Sequence, residues 1–291
     1  MKTQIVVHLL PHELDYFEWQ TKQFKIGSDY IDKNDKIIID VTLNLNLVNW
    51  EESKLSKEFF IDKFNQIKLI WDWCESNFII DEENKCLGCD DKRREAIRNT
   101  VADNILYLDS DLIFSHELLY YSIEMSKQIE EEYYILSPQI VKMWDNTWDS
   151  ITNDLYVKNK PDLQHYYNSN PFEILTKSFD EFSLKKVPNF KFGGGWFNLL
   201  STKLLKLTDI PDSFGPYGVD DLYVMLCCNI LSNKGYKIQQ YIIENKIVTE
   251  NYKYRFNPYI KYLKIIDLKE KYRNTASENL QLELIKFQNR I

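Results

Sequence analysis

Residues Asn104–Ser115 read NILYLDSDLIFS. Asn104–Leu108 is apolar enough for a buried strand, and Asp109 and Asp111 close it with only Ser110 between them. A second apolar run follows at once. Like charges set close together repel, and a desolvated carboxylate is costly unless something pairs with it. Either water solvates this strand end or a cation sits there. In open α/β sheets, ligands bind outside the carboxyl ends of the strands. Two hard oxygen donors at such an end suit Mg2+ or Mn2+, which take one or two carboxylates and fill their remaining positions with water and phosphate. The strand context favours the cation over a solvated turn.

The elements around this stretch alternate. Strand patterns fall at Gln4–Leu10, Lys36–Leu43, Asn77–Ile80 and Tyr133–Ser137, and helix patterns at Glu13–Lys25, Lys57–Cys74 and Asp90–Ala102. In the second helix Phe60, Phe64, Ile67, Ile70 and Trp71 share one stripe. Ser115 suits the N-cap of a further helix through Glu131, with Glu117 in its first turn. This rhythm predicts an α/β fold with a mostly parallel, helix-covered sheet. Past Pro138 the periodicity fades. Residues 139–190 are polar and aromatic, too long for a bare loop in a compact domain, so short elements that shape a binding surface are expected there. Regular patterns return at Phe190–Lys206, Gly218–Gly235 and Lys237–Thr249. The tail from Tyr259 reads as helical, with an amphipathic Glu278–Arg290. One domain over 1–255 follows, with a nucleotide-binding half at 1–138, an acceptor half at 139–250 and a helical tail at 256–291.

Bulk composition narrows the function classes. The 291 residues are 44% hydrophobic and 27% charged, ordinary for a soluble globular chain. A net charge of −8 without a long basic block argues against a nucleic-acid duplex as partner. No run reaches the ~18 apolar residues of a membrane span, and the N-terminus reads as a strand and not a leader peptide. The tail is left three roles: packing on the domain, pairing with a second copy, or peripheral contact with a membrane surface. Five cysteines without a disulfide rhythm fit reduced thiols and a cytoplasmic location, and the single Cys86-Leu-Gly-Cys89 lacks the second pair that a zinc site needs. Only eight glycines occur, so the cluster Gly193-Gly194-Gly195 beside Trp196 stands out as a place where backbone can approach a ligand.

The stretch from Gly88 through Arg93, Arg94, Arg98 and Asn99 to Leu108-Asp109-Ser110-Asp111 resembles GT-A-fold glycosyltransferases. It is most similar to the large inverting family of nucleotide-sugar transferases (family 2-like). The resemblance implies a GT-A, Rossmann-like sheet with a smaller acceptor-side mixed sheet. It also implies that Asp109 and Asp111 form the D-x-D motif, which binds Mn2+ or Mg2+ and through it the diphosphate of a nucleotide sugar. Asp109 and Ser110 would face the donor, and Asp111 would ligate the metal. Gly194, Gly195 and Trp196 would approach and stack on the sugar. Phe214-Gly215-Pro216-Tyr217-Gly218-Val219-Asp220-Asp221 looks like that family's acidic acceptor motif. An aspartate at a helix start there is the general base, kept ionised by the helix dipole. The family's usual Glu-Asp is Asp-Asp here, with Asp220 the first choice and Asp221 the second. An N-cap role for Asp220 is the structural alternative.

Other positions carry less. Pro11 and Glu13 follow the first strand, where the base is usually cradled. Asp40 closes the second strand and would face base or ribose, or be a plain polar strand end. Arg93, Arg94 and Arg98 would offer one diphosphate contact among them, the others facing solvent. His8 reads as a satisfied core histidine. Glu250 stands where related enzymes supply a third metal ligand, usually histidine. The expected reaction moves a sugar from a UDP-linked (or GDP-linked) donor to a hydroxyl of a glycan or other acceptor, with inversion. A nucleotidyltransferase is the rival enzyme, and Leu10-Pro11-His12-Glu13 is poor for its phosphate loop. A carbohydrate-binding module with a degenerate site is the non-enzymatic rival.

Overall fold

The computed structural model describes residues 1–142, 183–187, 196–251 and 260–291. Strand β1 (Lys2–Leu9) leads through a 3-10 turn at Pro11–Glu13 into helix α1 (Leu14–Gly27), then β2 (Lys36–Asn44), a short α2 (Trp50–Ser53), α3 (Lys57–Ile70) and β3 (Glu75–Asp81). Helix α4 (Cys89–Asn99), β4 (Asn104–Leu108), β5 (Leu112–Phe114), α5 (Leu118–Ser126) and β6 (Tyr133–Lys142) follow. The remaining elements are β7 (Leu184–Val187), β8 (Phe197–Ser201), α6 (Thr202–Thr208), α7 (Asp220–Asn233), β9 (Ile238–Glu250) and α8 (Ile265–Arg290).

All nine strands join one sheet in the order β3-β2-β1-β4-β8-β6-β9-β5, with β7 also on β9. Strands β1 to β4 are mutually parallel, β8 runs against β4 and β6, and β9 runs with β6. Six strands therefore point the same way, and their carboxyl ends line one edge. Strands β7 and β5 pair antiparallel with the two ends of β9, so the sheet is parallel on the β1 side and mixed on the other.

Apolar side chains alternate across this sheet because strand periodicity is two. Ile5, Val7, Leu9, Leu106 and Leu108 enter a core under α1, α3 and α5. Val6, Ile105 and Tyr107 enter a second core under α4, α6, α7 and α8. The α3 stripe buries Phe60, Phe64 and Ile67, and Trp71 just beyond it is buried as well. Both faces are covered, as a largely parallel sheet requires.

Several sequence expectations need correction. Ser115 caps no helix: α5 starts at Leu118 from Glu117, and the Ser115 carbonyl accepts the Leu118 N–H (3.1 Å). The apolar run ahead of it is β5, which pairs with β9 more than a hundred residues later. Asp40 does not end its strand, which continues to Asn44. The tail is one 26-residue helix packed on the domain, burying Ala276 and Phe287 against α7. Residues 143–182 and 188–195 lie outside the described residues, so the expected short elements of 139–190 are described only at its two ends. Among the described residues no helix is long and apolar enough to cross a membrane.

Helix α8 approaches the loop before α7 closely. A methyl on Gly218 would stand 2.3 Å from the Ala276 Cβ, inside any tolerable contact. Gly218→Ala should therefore lower stability by about 1–3 kcal/mol, the cost of overpacking. Adding Ala276→Gly should recover all but the ~1 kcal/mol that glycine costs within a helix. Thermal melts of the two single variants and the double variant check this, and additive losses would refute it.

Candidate active site

The six aligned strand ends gather the carboxylates. Glu13 lies just past β1, Asp109 and Asp111 just past β4, and Glu250 ends β9 opposite Leu112 of β5. The Asp109-Ser110-Asp111 turn is fixed by backbone bonds. The Asp109 N–H donates to the Trp196 carbonyl (3.0 Å) and the Asn251 N–H to the Asp111 carbonyl (2.7 Å). From α1, Gln20 Nε2 donates to the carbonyls of Asp109 (2.9 Å) and Leu112 (3.0 Å).

Period-two alternation carries Asp109 to the face of Ile105 and Tyr107, where it meets α4. Arg93 of α4 lies with its guanidinium 4.4 Å from the Tyr107 ring centre. It donates to Asp109 Oδ1 (2.9 Å) and to Asp220 Oδ2 at the start of α7 (3.0 Å). One buried cation thus joins the strand-end turn to the acidic pair of the other half. Burial pushes the Asp109 carboxyl up to about 7, against the pull of Arg93 and with Asp111 adding to the rise. The adjacent Asp221 is pushed up to about 8, by burial first and then by Asp220, with Arg93 opposing. Asp90 at the start of α4 is raised well above the usual range by burial and Asp220, and its Oδ2 is buried without a hydrogen-bond partner. Beside Asp221 a cavity of about 20 Å³ is lined by Tyr107, Asn198 and Asp221 among apolar Leu200, Val224 and Met225. That volume suits one water, and the buried Tyr107 hydroxyl there has no partner.

Asp111 has a different environment. Burial pushes its carboxyl up to about 7, and Glu250 and then Glu13 push the same way, while Lys269 of α8 opposes them. Among the described residues no arginine pairs with Asp111 as Arg93 pairs with Asp109. Glu13 spends Oε2 on the Leu10 N–H (2.5 Å). Among the described residues no three acidic, His or Cys side chains already close on a single point. The donor set is hard oxygen. It fits a divalent ion held by one or two carboxylates and completed by water and phosphate, the habit of Mg2+ and Mn2+.

The other expected site residues fall as follows. Ser110 and Trp196 are buried at the turn. Gly194 and Gly195 lie outside the described residues. Pro11 begins the 3-10 turn that carries Glu13. Asp40 accepts from Asn77 Nδ2 (2.9 Å) and from Gln4 Nε2 in the middle of β2, four residues short of the edge. Arg94 donates to the carbonyls of Ile210 (3.0 Å), Pro211 (3.0 Å) and Gly215 (2.9 Å) and pairs with Asp91, so it ties down the loop before α7. Arg98 is held by Asp209 and Asp212. Of the three arginines, Arg93 joins the acidic cluster. His8 Nε2 donates to the Cys86 carbonyl (3.2 Å), and burial lowers its pKa, so it is neutral. Cys86 and Cys89 are free thiols, each raised by burial.

Sequence reasoning passed over Tyr107, Asp90, Tyr217, Lys269 and Arg273. Tyr107 was accessible, because it precedes Asp109 by two on a strand and so shares its face. Nothing local marks the two tail cations.

No protein-family model and no curated protein matches the chain. Solved structures do. A mannosyltransferase, PcManGT from Pyrobaculum calidifontis with GDP-Man and Mn2+, is 12% identical over 86% of this chain and 56% of its own, at a TM-score of 0.48. S. aureus TarS with UDP-GlcNAc is 13% identical over 86% of this chain and 59% of its own, at 0.44. Glucosyl-3-phosphoglycerate synthase from Mycobacterium tuberculosis, with Mn2+, UDP and glucosyl-3-phosphoglycerate, is 12% identical over 99% of this chain and 80% of its own, at 0.48. The chain thus spans under two thirds of the length of the first two.

Removing Arg93 would leave the buried Asp220 uncompensated beside the half-exposed Asp109. Arg93→Ala should cost about 3 kcal/mol or more, the price of breaking a buried pair. Arg93→Ala with Asp220→Asn should lose less than Arg93→Ala alone, as denaturant melts would show. Equal losses would refute the bridge. For Asp221 the native state holds the proton more tightly than the unfolded chain does. Its contribution to stability is thus present in acid and lost as pH rises through about 8. In metal-free protein the stability margin of Asp221→Asn over wild type should widen from about pH 5 to about pH 9. Parallel melting curves across that range would overturn the assignment.

Proposed function

We propose that the chain is a metal-dependent glycosyltransferase. It moves a sugar from a nucleoside-diphosphate donor, UDP-linked first and GDP-linked second, to a hydroxyl of a glycan or other acceptor, with inversion. The observation that carries this is the pair of unlike carboxylate groups on one sheet edge. Around Asp111, on top of burial, Glu250 and then Glu13 add like charge that pushes its carboxyl up, while Asp220 at the start of α7 shares the buried Arg93 with Asp109.

The roles divide by environment. Asp111 and Glu250 would hold the cation, and through it the donor diphosphate. A bound Mn2+ or Mg2+ offsets the negative charge that develops on the departing nucleoside diphosphate. Asp109 is held by Arg93 and orients Ser110 and the turn toward the donor. Asp220 is buried and ion-paired, so its part is to position Arg93. Asp221 is raised to about 8 and half-buried, which matches a general base working near neutral pH. As the acceptor oxygen attacks the anomeric carbon, its proton passes to Asp221. The anomeric carbon–oxygen bond breaks and its electron pair leaves with the diphosphate. A single base across the sugar from the leaving group gives inversion.

The site differs from what a nucleotidyltransferase needs. The turn after β1 is Pro11-His12-Glu13, buried and acidic, where that chemistry wants a glycine- and lysine-rich phosphate loop.

Calorimetric titration with UDP and GDP, with and without Mn2+, should show metal-dependent binding that Asp111→Ala abolishes. Asp221→Asn should keep donor affinity and lose about 10²–10⁴-fold in transfer or donor hydrolysis. Absence of nucleotide binding in Mn2+ and in Mg2+ would leave a carbohydrate-binding module as the better description.

A further inference from the structure

Helix α8 crosses the site edge between two anchors. At its start, Leu263 bridges to Val48, the Lys264 N–H donates to the Leu47 carbonyl (2.8 Å), and the Asn49 N–H donates to the Tyr262 carbonyl (2.9 Å). These partners lie just past the carboxyl end of β2, so α8 begins on the same edge as the carboxylates. About three turns further, Ala276 presses on Gly218, two residues before Asp220. The helix segment between these anchors has little freedom to move.

That segment presents two cations to one aromatic ring. The Lys269 ammonium lies 5.0 Å from the centre of Tyr217, and the Arg273 guanidinium lies 5.4 Å from it. Arg273 also donates to the Tyr217 hydroxyl (2.9 Å), which commits it to holding the ring. Lys269 makes no such commitment. Among the described residues no carboxylate comes within ion-pair distance of it, and its pKa is raised against burial by Tyr217 first and then by Glu13, Cys89 and Asp111. A half-buried ammonium with unspent N–H donors beside the expected metal ligands is well placed to bind an anion.

Resting on the function proposed above, we propose that Lys269 is a diphosphate-binding residue, supplied by the C-terminal helix and positioned by Tyr217 and Arg273. It would act as a second positive charge next to the divalent ion and donate to a terminal phosphate oxygen of the nucleotide. Lysine suits this role because its ammonium is a compact point charge on a flexible stem, able to turn from the Tyr217 face to the phosphate. The tail then completes the donor site, and the chain without it would bind the nucleoside diphosphate poorly.

The test uses the full chain with saturating Mn2+ and compares UDP with UMP by calorimetry. The variants are Lys269→Gln, Lys269→Met as a second charge-free variant, Lys269→Arg to keep the charge, and Lys271→Gln as an exposed control on the same helix. Loss of a charge-assisted bond to the terminal phosphate should weaken UDP about tenfold or more and UMP much less. Lys269→Arg should recover part of the loss, and Lys271→Gln should match wild type. Mn2+ affinity without nucleotide, read by electron paramagnetic resonance, should be unchanged or tighter in Lys269→Gln, because a repelling charge has gone. A lysine that only balanced Asp111 and Glu13 would leave UDP-over-UMP discrimination intact. Wild type that binds UDP with Mn2+ while both charge-free variants bind it equally well would overturn this inference and spare the proposed function. Wild type that binds neither UDP nor GDP in the presence of the metal would overturn both.

Discussion

The structure depends on one buried guanidinium. Arg93 lies on the Tyr107 ring and spans from Asp109, at the end of the central strand, to Asp220, at the start of α7. At ion-pair distance each contact is worth several kcal/mol at an effective dielectric of about 20, and desolvating the three charges costs a comparable amount. Net stability from the triad is therefore small, while its geometric demand is strict. Moving either aspartate leaves an uncompensated buried charge. This bridge fixes where the acidic pair of α7 stands relative to the Asp-Ser-Asp turn, a relation that no backbone pairing enforces.

The loop that delivers Asp220 and Asp221 is clamped on both sides. A Cβ at Gly88 would stand 2.0 Å from the Pro216 carbonyl oxygen, and the Asp90 N–H donates to that same oxygen (3.2 Å). Gly218 meets Ala276 of α8 on the other side. Arg94 adds three carbonyl contacts across the same loop. In a chain with only eight glycines, two are spent on letting helices α4 and α8 touch one short segment. Such close approach makes the segment rigid, which a base needs in order to meet an acceptor hydroxyl at a fixed angle.

What was legible in the sequence was local. Strand β4 matches its expected span, and its two closing aspartates could be read as a site because an apolar strand leaves them nothing local to pair with. The β-α-β rhythm of the first half also follows from periodicity alone. What was hidden depends on distant partners. The three residues of β5 are a strand only because Val248–Glu250 lies beside them. One of Arg93, Arg94 and Arg98 is expected at the diphosphate and the others in solvent, yet Arg93 and Arg94 are both buried, and their acceptors come largely from residues 109 and 210–220. Asp40 looked like a strand end because Val41–Asn44 continues the strand without changing its character. The tail reads as a helix from its sequence, but nothing local ties Lys269 to the site, since it meets Tyr217 only across the fold.

The same edge of the sheet thus holds acids in two electrostatic regimes. Asp109 and Asp220 have a permanent counter-ion, built in by α4 and paid for in desolvation once, at folding. Around Asp111, on top of burial, the like charges of Glu250 and Glu13 push its carboxyl up, and Lys269 opposes them. A protein that needed these acids only for packing would be more stable with amides or apolar residues there, since buried like charges destabilise. Leaving a site under-neutralised makes sense when the missing positive charge arrives with a ligand. A divalent ion with a diphosphate supplies it, and the affinity for that ion is in part the repulsion it relieves. The cost of keeping the acids together without the ion is what makes the ion bind.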